Sequence, residues 1–250
     1  MKIKVSHIIA ISVIAAFGVL VFLFVNAFTG NPVSAFIASG RIKAYAAKTY
    51  PTLDLTLSEV GYNFKNNAYG CHVQAKSSED TSFYISYSGG KVSDDYPYEV
   101  ANHFTTYRRL NEDFNQLVED IILKEYPHET TLILGDLVGD TALLTPDKPL
   151  NLDEMPLKLS LVVWILSDIR DEEQMATLLL ELYQLMLSKD IAIDQYTLQL
   201  EEPLPEDAKP GSGDDLYLED FPAQSITDNV GELAILIKNH QHTIELNDKK

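Results

Sequence analysis

The chain is short of cysteine, of basic charge and of recognisable catalytic motifs, and each shortage excludes something. One of its 250 residues is cysteine, Cys71, so no intramolecular disulfide can form. Around it Tyr69, Cys71, Val73 and Ala75 fall on one face of a strand, and Gly70, His72, Gln74 and Lys76 on the other. Cys71 therefore reads as a small buried hydrophobe and not as a nucleophile. It also stands far from the hydrophobic N-terminal segment, which excludes lipid attachment. Basic residues number 19 against 37 acidic ones, a formal net charge of -18. So acidic a body as a whole repels phosphate backbones and anionic lipid head groups, which excludes nucleic acid as a partner. The simplest reading of the acidity is solubility.

The catalytic inventory is equally thin. Pro210-Gly211-Ser212-Gly213 lies in an acidic loop without the strand-to-helix elbow of a serine hydrolase. Gly135-Asp136-Leu137-Val138-Gly139-Asp140 lacks the lysine and following helix of a phosphate loop. His240-x-His242 is the sole close histidine pair and has no third ligand nearby. Asp147, Asn151, Asp153 and Glu154 do not fit the twelve-residue calcium loop. Asp214-Asp215 and Glu219-Asp220, like that cluster, read as solvated acidic faces. No cofactor or metal is expected. Carboxylates paired by the fold remain outside what sequence reveals.

What is present begins with the N-terminus. From Ile8 to Phe28 every residue is apolar, small or uncharged. At 1.5 Å per residue this run is about 31 Å long, which matches a hydrocarbon core. Lys2 and Lys4 precede it, so the N-terminus is expected to stay inside and the rest of the chain to lie across the membrane. Arg41, Lys43 and Lys48, with no acid before Asp54, follow at a distance. A cleaved signal peptide is the competing reading, with Val25-Asn26-Ala27 as the cleavage site. An uncleaved anchor is preferred because the run exceeds the usual apolar region of a signal.

The expected organisation is α+β in three parts: an anchor over residues 1–30, a first domain over 31–127 and a second over 128–250. Asn31 and Pro32 open a helix that closes at Tyr50-Pro51. Alternation then predicts an antiparallel meander: Val60–Phe64, the strand carrying Cys71, Phe83–Tyr87, and Lys91–Asp94 after the Gly89-Gly90 turn. A long helix, about Tyr98–Tyr126, carries Phe104, Tyr107, Phe114, Leu117, Val118 and Ile121 and ends before Pro127. A helix packed on such a meander is a cystatin-like or PepSY-like architecture. In the second half, Leu132-Ile133-Leu134 is a short apolar stretch followed by a proline-containing loop. Then come strand 157–166, helix 172–187 with Asp171 and Gln174 as a capping box, strands 196–200 and 216–220, helix 230–239 and an edge strand at Thr243–Leu246. That order is the ferredoxin-like pattern. Residues 201–213 read as a mobile surface loop.

Two clusters suggest contact with a partner: Asp94, Asp95, Tyr96 and Tyr98 where meander meets helix, and Arg108-Arg109, an adjacent arginine pair. Tyrosine and arginine are enriched in binding hot spots. The plain alternative is a buried tyrosine and Arg–Asp ion pairs that hold helix to sheet.

The first half also resembles a known family. Gly30-Asn31-Pro32-Val33, Tyr50-Pro51-x-Leu53, Tyr62-Asn63-Phe64-Lys65, Glu79-Asp80-Thr81, Asp94-Asp95-Tyr96 and Thr106-x-Arg108-Arg109-Leu110 occur in the order seen in the YfjL-like proteins of Gram-positive bacteria. The resemblance implies membrane anchorage and architecture. It transfers no catalytic residue. The expectation is a non-enzymatic, membrane-tethered, extracytoplasmic binding or accessory module with the membrane and a protein or peptide as partners. The alternative is an extracytoplasmic hydrolase that uses fold-assembled carboxylates.

Overall fold

The computed structural model describes residues 5–203 and 215–248, with the side chains of residues 5–11, 22, 23, 26, 27 and 245–248 outside the description. Lys2, Lys4 and most of the loop expected over 201–213 lie outside the described residues. The chain is α+β with two sheets and divides into two compact units, Met1–Thr105 and Thr106–Lys250.

The first unit begins with helix α1, Val5–Thr29. Among the described residues no helix is long and apolar enough to cross a membrane. The anchor expected over Ile8–Phe28 falls in part on side chains outside the description. Helix α2, Pro32–Thr49, starts as the sequence dictates. The Asn31 side chain accepts hydrogen bonds from the backbone N–H groups of Val33 and Ser34, and Pro32 occupies the first turn.

Five strands follow: β1 Leu55–Leu57, β2 Gly61–Asn63, β3 Ala68–Ala75, β4 Ser82–Ser88 and β5 Lys91–Asp94. They form an antiparallel sheet in the order β1-β3-β4-β5, and β2 shares the outer edge of β3 with β1. The sequence placed no strand at 55–57. Its pairing, Leu55 with Ala75 through Leu57 with Val73, supplies what a three-residue segment cannot signal by alternation. Gly89 and Gly90 both have positive φ, at 57° and 84°, and close the two-residue turn between Ser88 and Lys91. Ile42 and Ala46 of α2 pack on Cys71, Val73, Phe83 and Ile85 of the sheet. Cys71 is buried, and burial pushes its thiol pKa up.

In the second unit, helix α3 spans Phe104–Glu125, its first two residues still belonging to the first unit. The segment before it, Pro97–Ala101, is a π-helical turn, so the single helix expected from Tyr98 is broken. Strands β6 Thr130–Val138, β7 Lys158–Leu166, β8 Gln195–Glu201 and β9 Leu216–Pro222 form a sheet in that spatial order. Helix α4, Glu172–Ser188, carries the chain from β7 to β8, which are parallel; the other pairings are antiparallel. Asp171 caps α4 by accepting from the Gln174 N–H at 2.8 Å. Helix α5, Val230–Asp248, closes the chain.

Three expectations need correction. The domain boundary is not at 127: Leu110, Phe114, Val118 and Ile122 of α3 belong to the core formed with β6, β7, β8 and α4. Helical periodicity shows that a helix has a buried face, not which sheet meets it. The strand order is not ferredoxin-like, because the parallel strands β7 and β8 are direct neighbours where a split βαβ would insert a third. And Thr243–Leu246 is helical: the Thr243 hydroxyl donates to Asn239 O, continuing α5.

Strand β6 lies at the edge of its sheet, and α3 caps that edge. Asn115 Oδ1 accepts from Gly135 N at 2.9 Å, and Asn111 Oδ1 from Leu137 N at 2.7 Å. Residues four apart on a helix and two apart on a strand both advance about 6 Å, so the two bonds fall in register. Asn115→Ala should cost about 1–2 kcal/mol in denaturant unfolding, because it orphans a backbone donor. The double variant Asn111→Ala/Asn115→Ala should also self-associate through the bared edge, visible by light scattering. An unchanged midpoint and a monomer would contradict the capping role.

Candidate functional site

The Asp94–Tyr98 segment is brought to one place, but mainly to hold the first unit together. Asp94 ends β5; its Oδ2 accepts from the Tyr45 hydroxyl of α2 and its Oδ1 from Tyr96 N. Asp95 Oδ1 accepts from Tyr84 N at 2.6 Å, while Asp95 N donates to Tyr84 O at 3.2 Å. The Tyr96 ring lies 4.7 Å from Tyr50 and 5.1 Å from Phe83. Asp94 thus joins helix to sheet through a tyrosine hydroxyl. The Asp94 bond, with burial, raises the Tyr45 pKa; burial, then Asp94, raises that of Tyr50. Of this cluster only Tyr98 is exposed, at 53%, with its ring 4.7 Å from Phe104.

Arg108 and Arg109 fall in the second unit, so the six residues expected to share a surface are split between the two units. Arg109 Nη2 donates to Lys148 O at 2.9 Å, and its other terminal nitrogen lies 3.9 Å from Asp113. Arg108 is exposed. Next to them, the Tyr107 hydroxyl donates to Asp136 Oδ1 at 2.8 Å. Burial, then this bond, pushes the Tyr107 pKa up to about 12. Burial raises Tyr126 and Tyr196 of the same unit as well. The unfolded chain therefore ionises these tyrosines near pH 10 while the folded unit still resists. The contribution of Tyr107 is complete below pH 10 and lost as pH rises through about 12. The denaturation midpoint of the second unit should be flat from pH 7 to 9 and fall above 10. Tyr107→Phe should lessen the fall, and a midpoint still level at pH 12 would contradict it.

The carboxylates elsewhere serve the strands. Asp194 and Asp220 line one cavity of about 410 Å³. Asp194 Oδ2 accepts from Leu159 N at 2.7 Å; Asp220 Oδ1 accepts from Gln195 Nε2 at 3.1 Å and Thr197 Oγ1 at 3.4 Å. Asn151 caps the short turn Leu152–Glu154 beside a second cavity of about 200 Å³. His240 Nε2 lies 2.7 Å from Glu219 O, which ties α5 to β9. His128 lies 2.6 Å from Glu181. Among the described residues no three His, Cys, Asp or Glu are grouped to hold a metal ion. Ser212 lies outside the described residues.

Sequence reasoning missed the junction between α1 and α2. Gly30 adopts φ +74°, and a Cβ built on it would stand 2.6 Å from Tyr62 Cγ and 2.9 Å from the Tyr69 hydroxyl. Asn31 N donates to the Tyr69 hydroxyl at 2.6 Å, and that hydroxyl donates to Asn31 O at 3.2 Å. The rings of Tyr62 and Tyr69 lie 4.8 Å apart. Phe28, near the end of α1, lies 5.4 Å from Phe64 in the turn after β2. The β2–β3 hairpin therefore clasps the point where α1 gives way to α2. The signal for it was Gly30 itself, legible as a helix stop but not as a close approach to residues 32 and 39 positions on.

Two family models match the chain: the YfjL-like N-terminal domain over residues 2–96, and the YfjL-like C-terminal domain over residues 113–237. No curated protein and no solved structure matches it.

Proposed function

The chain belongs to the YfjL-like family, and on that premise we propose a membrane-tethered binding or accessory module at a bacterial cell surface. In this reading α1 is a single-pass anchor and both folded units lie outside the cytoplasm. The observation that carries it is the uncharged run from Ile8 to Phe28, flanked by Lys2 and Lys4 on the inner side. It is supported by the exposure of Ile14, Phe17, Leu20 and Phe24, at 64–71%, on a helix of 25 residues. An isolated helix with such a surface would otherwise present a large apolar area to water. The clasp at Gly30 fits the same reading, since it holds the first unit firmly at the anchor's end. We read the helix on its meander as cystatin- or PepSY-like, a platform for a protein or peptide, with exposed Tyr98 as a contact.

The full chain should stay in the membrane fraction through an alkaline carbonate wash, and a chain lacking residues 1–29 should be recovered soluble and folded. Release of the full chain by the wash would sink the anchor.

A further inference from the structure

Helix α2 has two faces. Ala38, Ile42 and Ala46 are buried, and the opposite face carries Val33, Phe36 and Ile37, exposed at 67%, 82% and 47%. At 100° per residue Gly40, Ala44 and Ala47 continue that outer sector, with Arg41 and Lys48 along one margin and Lys43 along the other, all exposed. An 82% exposed phenylalanine flanked by valine and isoleucine at helical spacing is an apolar face without a protein partner among the described residues.

Charge says what covers it. Beyond the Ile8–Phe28 run, residues 29–53 contain three bases (Arg41, Lys43, Lys48) and no acid, a net charge of +3. Residues 54–250 carry -23, since residues 1–53 carry +5 and the whole is -18. An apolar stripe edged by bases and free of acids is the composition of a helix lying in a lipid interface. A second copy is disfavoured because a two-fold contact through this face would set the same bases against one another, whereas lipid phosphates attract them. Continuity with the anchor points the same way. Only Gly30 and Asn31 separate α1 from α2, and the Tyr62–Tyr69 clasp fixes both. Phe28 and Phe64 extend the apolar surface at that point, each about half exposed.

We propose that the outer face of α2 docks on an anionic lipid surface, with Val33, Phe36 and Ile37 among the upper acyl chains and Arg41, Lys43 and Lys48 at the phosphate level. This rests on the reading of α1 as an anchor. It turns the tether from a flexible leash into a fixed mount that sets the first unit's orientation on the membrane.

The test uses the full chain in vesicles with brominated acyl chains, in a Trp164→Phe background that removes the single native tryptophan. One reporter is Phe17→Trp in the anchor, the other Phe36→Trp on the exposed face, where substitution leaves the core untouched. In vesicles of equal parts phosphatidylglycerol and phosphatidylcholine, both reporters should be quenched. Changing Arg41, Lys43 and Lys48 to Gln should lower the docked-to-undocked ratio of the Phe36→Trp chain roughly a hundred-fold, at about five-fold per base. Quenching of Phe17→Trp without Phe36→Trp overturns this inference and leaves the anchor standing. No quenching of Phe17→Trp overturns the anchor itself. A blue-shifted but unquenched Phe36→Trp means that protein, such as a second copy, covers the face, and equal quenching in pure phosphatidylcholine removes the anionic surface; either overturns the proposal.

Discussion

Phe114→Ala should lower the stability of the second unit by about 4 kcal/mol and leave the first unit as it was. Phe114 is fully buried in the core that α3 shares with β6, β7 and α4. Its ring edge lies 3.1 Å from where a Cβ on Gly135 would stand, so it packs directly on the backbone of β6. The cavity left behind is closed off by a strand on one side and Leu110, Val118 and Ile122 on the other, which limits collapse. Each unit carries its own probe. The single tryptophan, Trp164, is in the second unit and the single cysteine, Cys71, is buried in the first. The Trp164 fluorescence transition should move to lower denaturant while Cys71 stays unreactive to thiol reagents in native buffer. If Cys71 became reactive and the Trp164 transition held, α3 would belong to the first unit and the boundary at 105/106 would be wrong.

Gly30→Ala should be the mirror case, destabilising the first unit by about 3 kcal/mol. A non-glycine residue at φ +74° costs about 1–2 kcal/mol. Forcing a Cβ to within 2.6 Å of Tyr62 Cγ and 2.9 Å of the Tyr69 hydroxyl adds overpacking of a further 1–3 kcal/mol. Neither contact is the loose end of a flexible chain: the Tyr62 ring stacks on Tyr69, and the Tyr69 hydroxyl is held at both Asn31 N and Asn31 O. Cys71 should then react roughly 150-fold faster through opening of the unit, with the Trp164 transition unchanged. Asparagine, which tolerates a left-handed backbone, should not rescue, because its Cβ meets the same atoms. A Gly30→Asn chain as stable as the parent would show that the close approach is not real.

How far the sequence could be read depended on range. Local chemistry was legible: the Asn31-Pro32 helix start, the Gly89-Gly90 turn and the Asp171 cap all stand where their residue types demand. Burial of Cys71 followed from alternation. Strand β6 was not legible beyond Leu134, because Gly135-Asp136 reads as a break. In the structure the glycine is there because Phe114 and Val118, on another element, leave no room for a side chain. The Asp94–Tyr96 cluster was found but its meaning was not, since the partners Tyr45, Tyr50 and Tyr84 come from α2, its C-cap and β4. The clasp at Gly30 was invisible for the same reason: Tyr69 meets Asn31 from 38 residues away. Sequence shows which residues need a partner; which partner they meet is settled by the sheet.

The tether and its direction are best tested together by thiol labelling in intact cells. Cys71 is 2% exposed and its thiol pKa is raised by burial, so the parent chain supplies a silent background. Lys91→Cys, exposed at the β4–β5 turn, and Glu173→Cys, exposed in the first turn of α4, place one reactive thiol on each unit. Both variants should react with a membrane-impermeant maleimide in unbroken cells, and the parent should not. Labelling that appears only after permeabilisation would put both units in the cytoplasm and contradict the extracytoplasmic module outright.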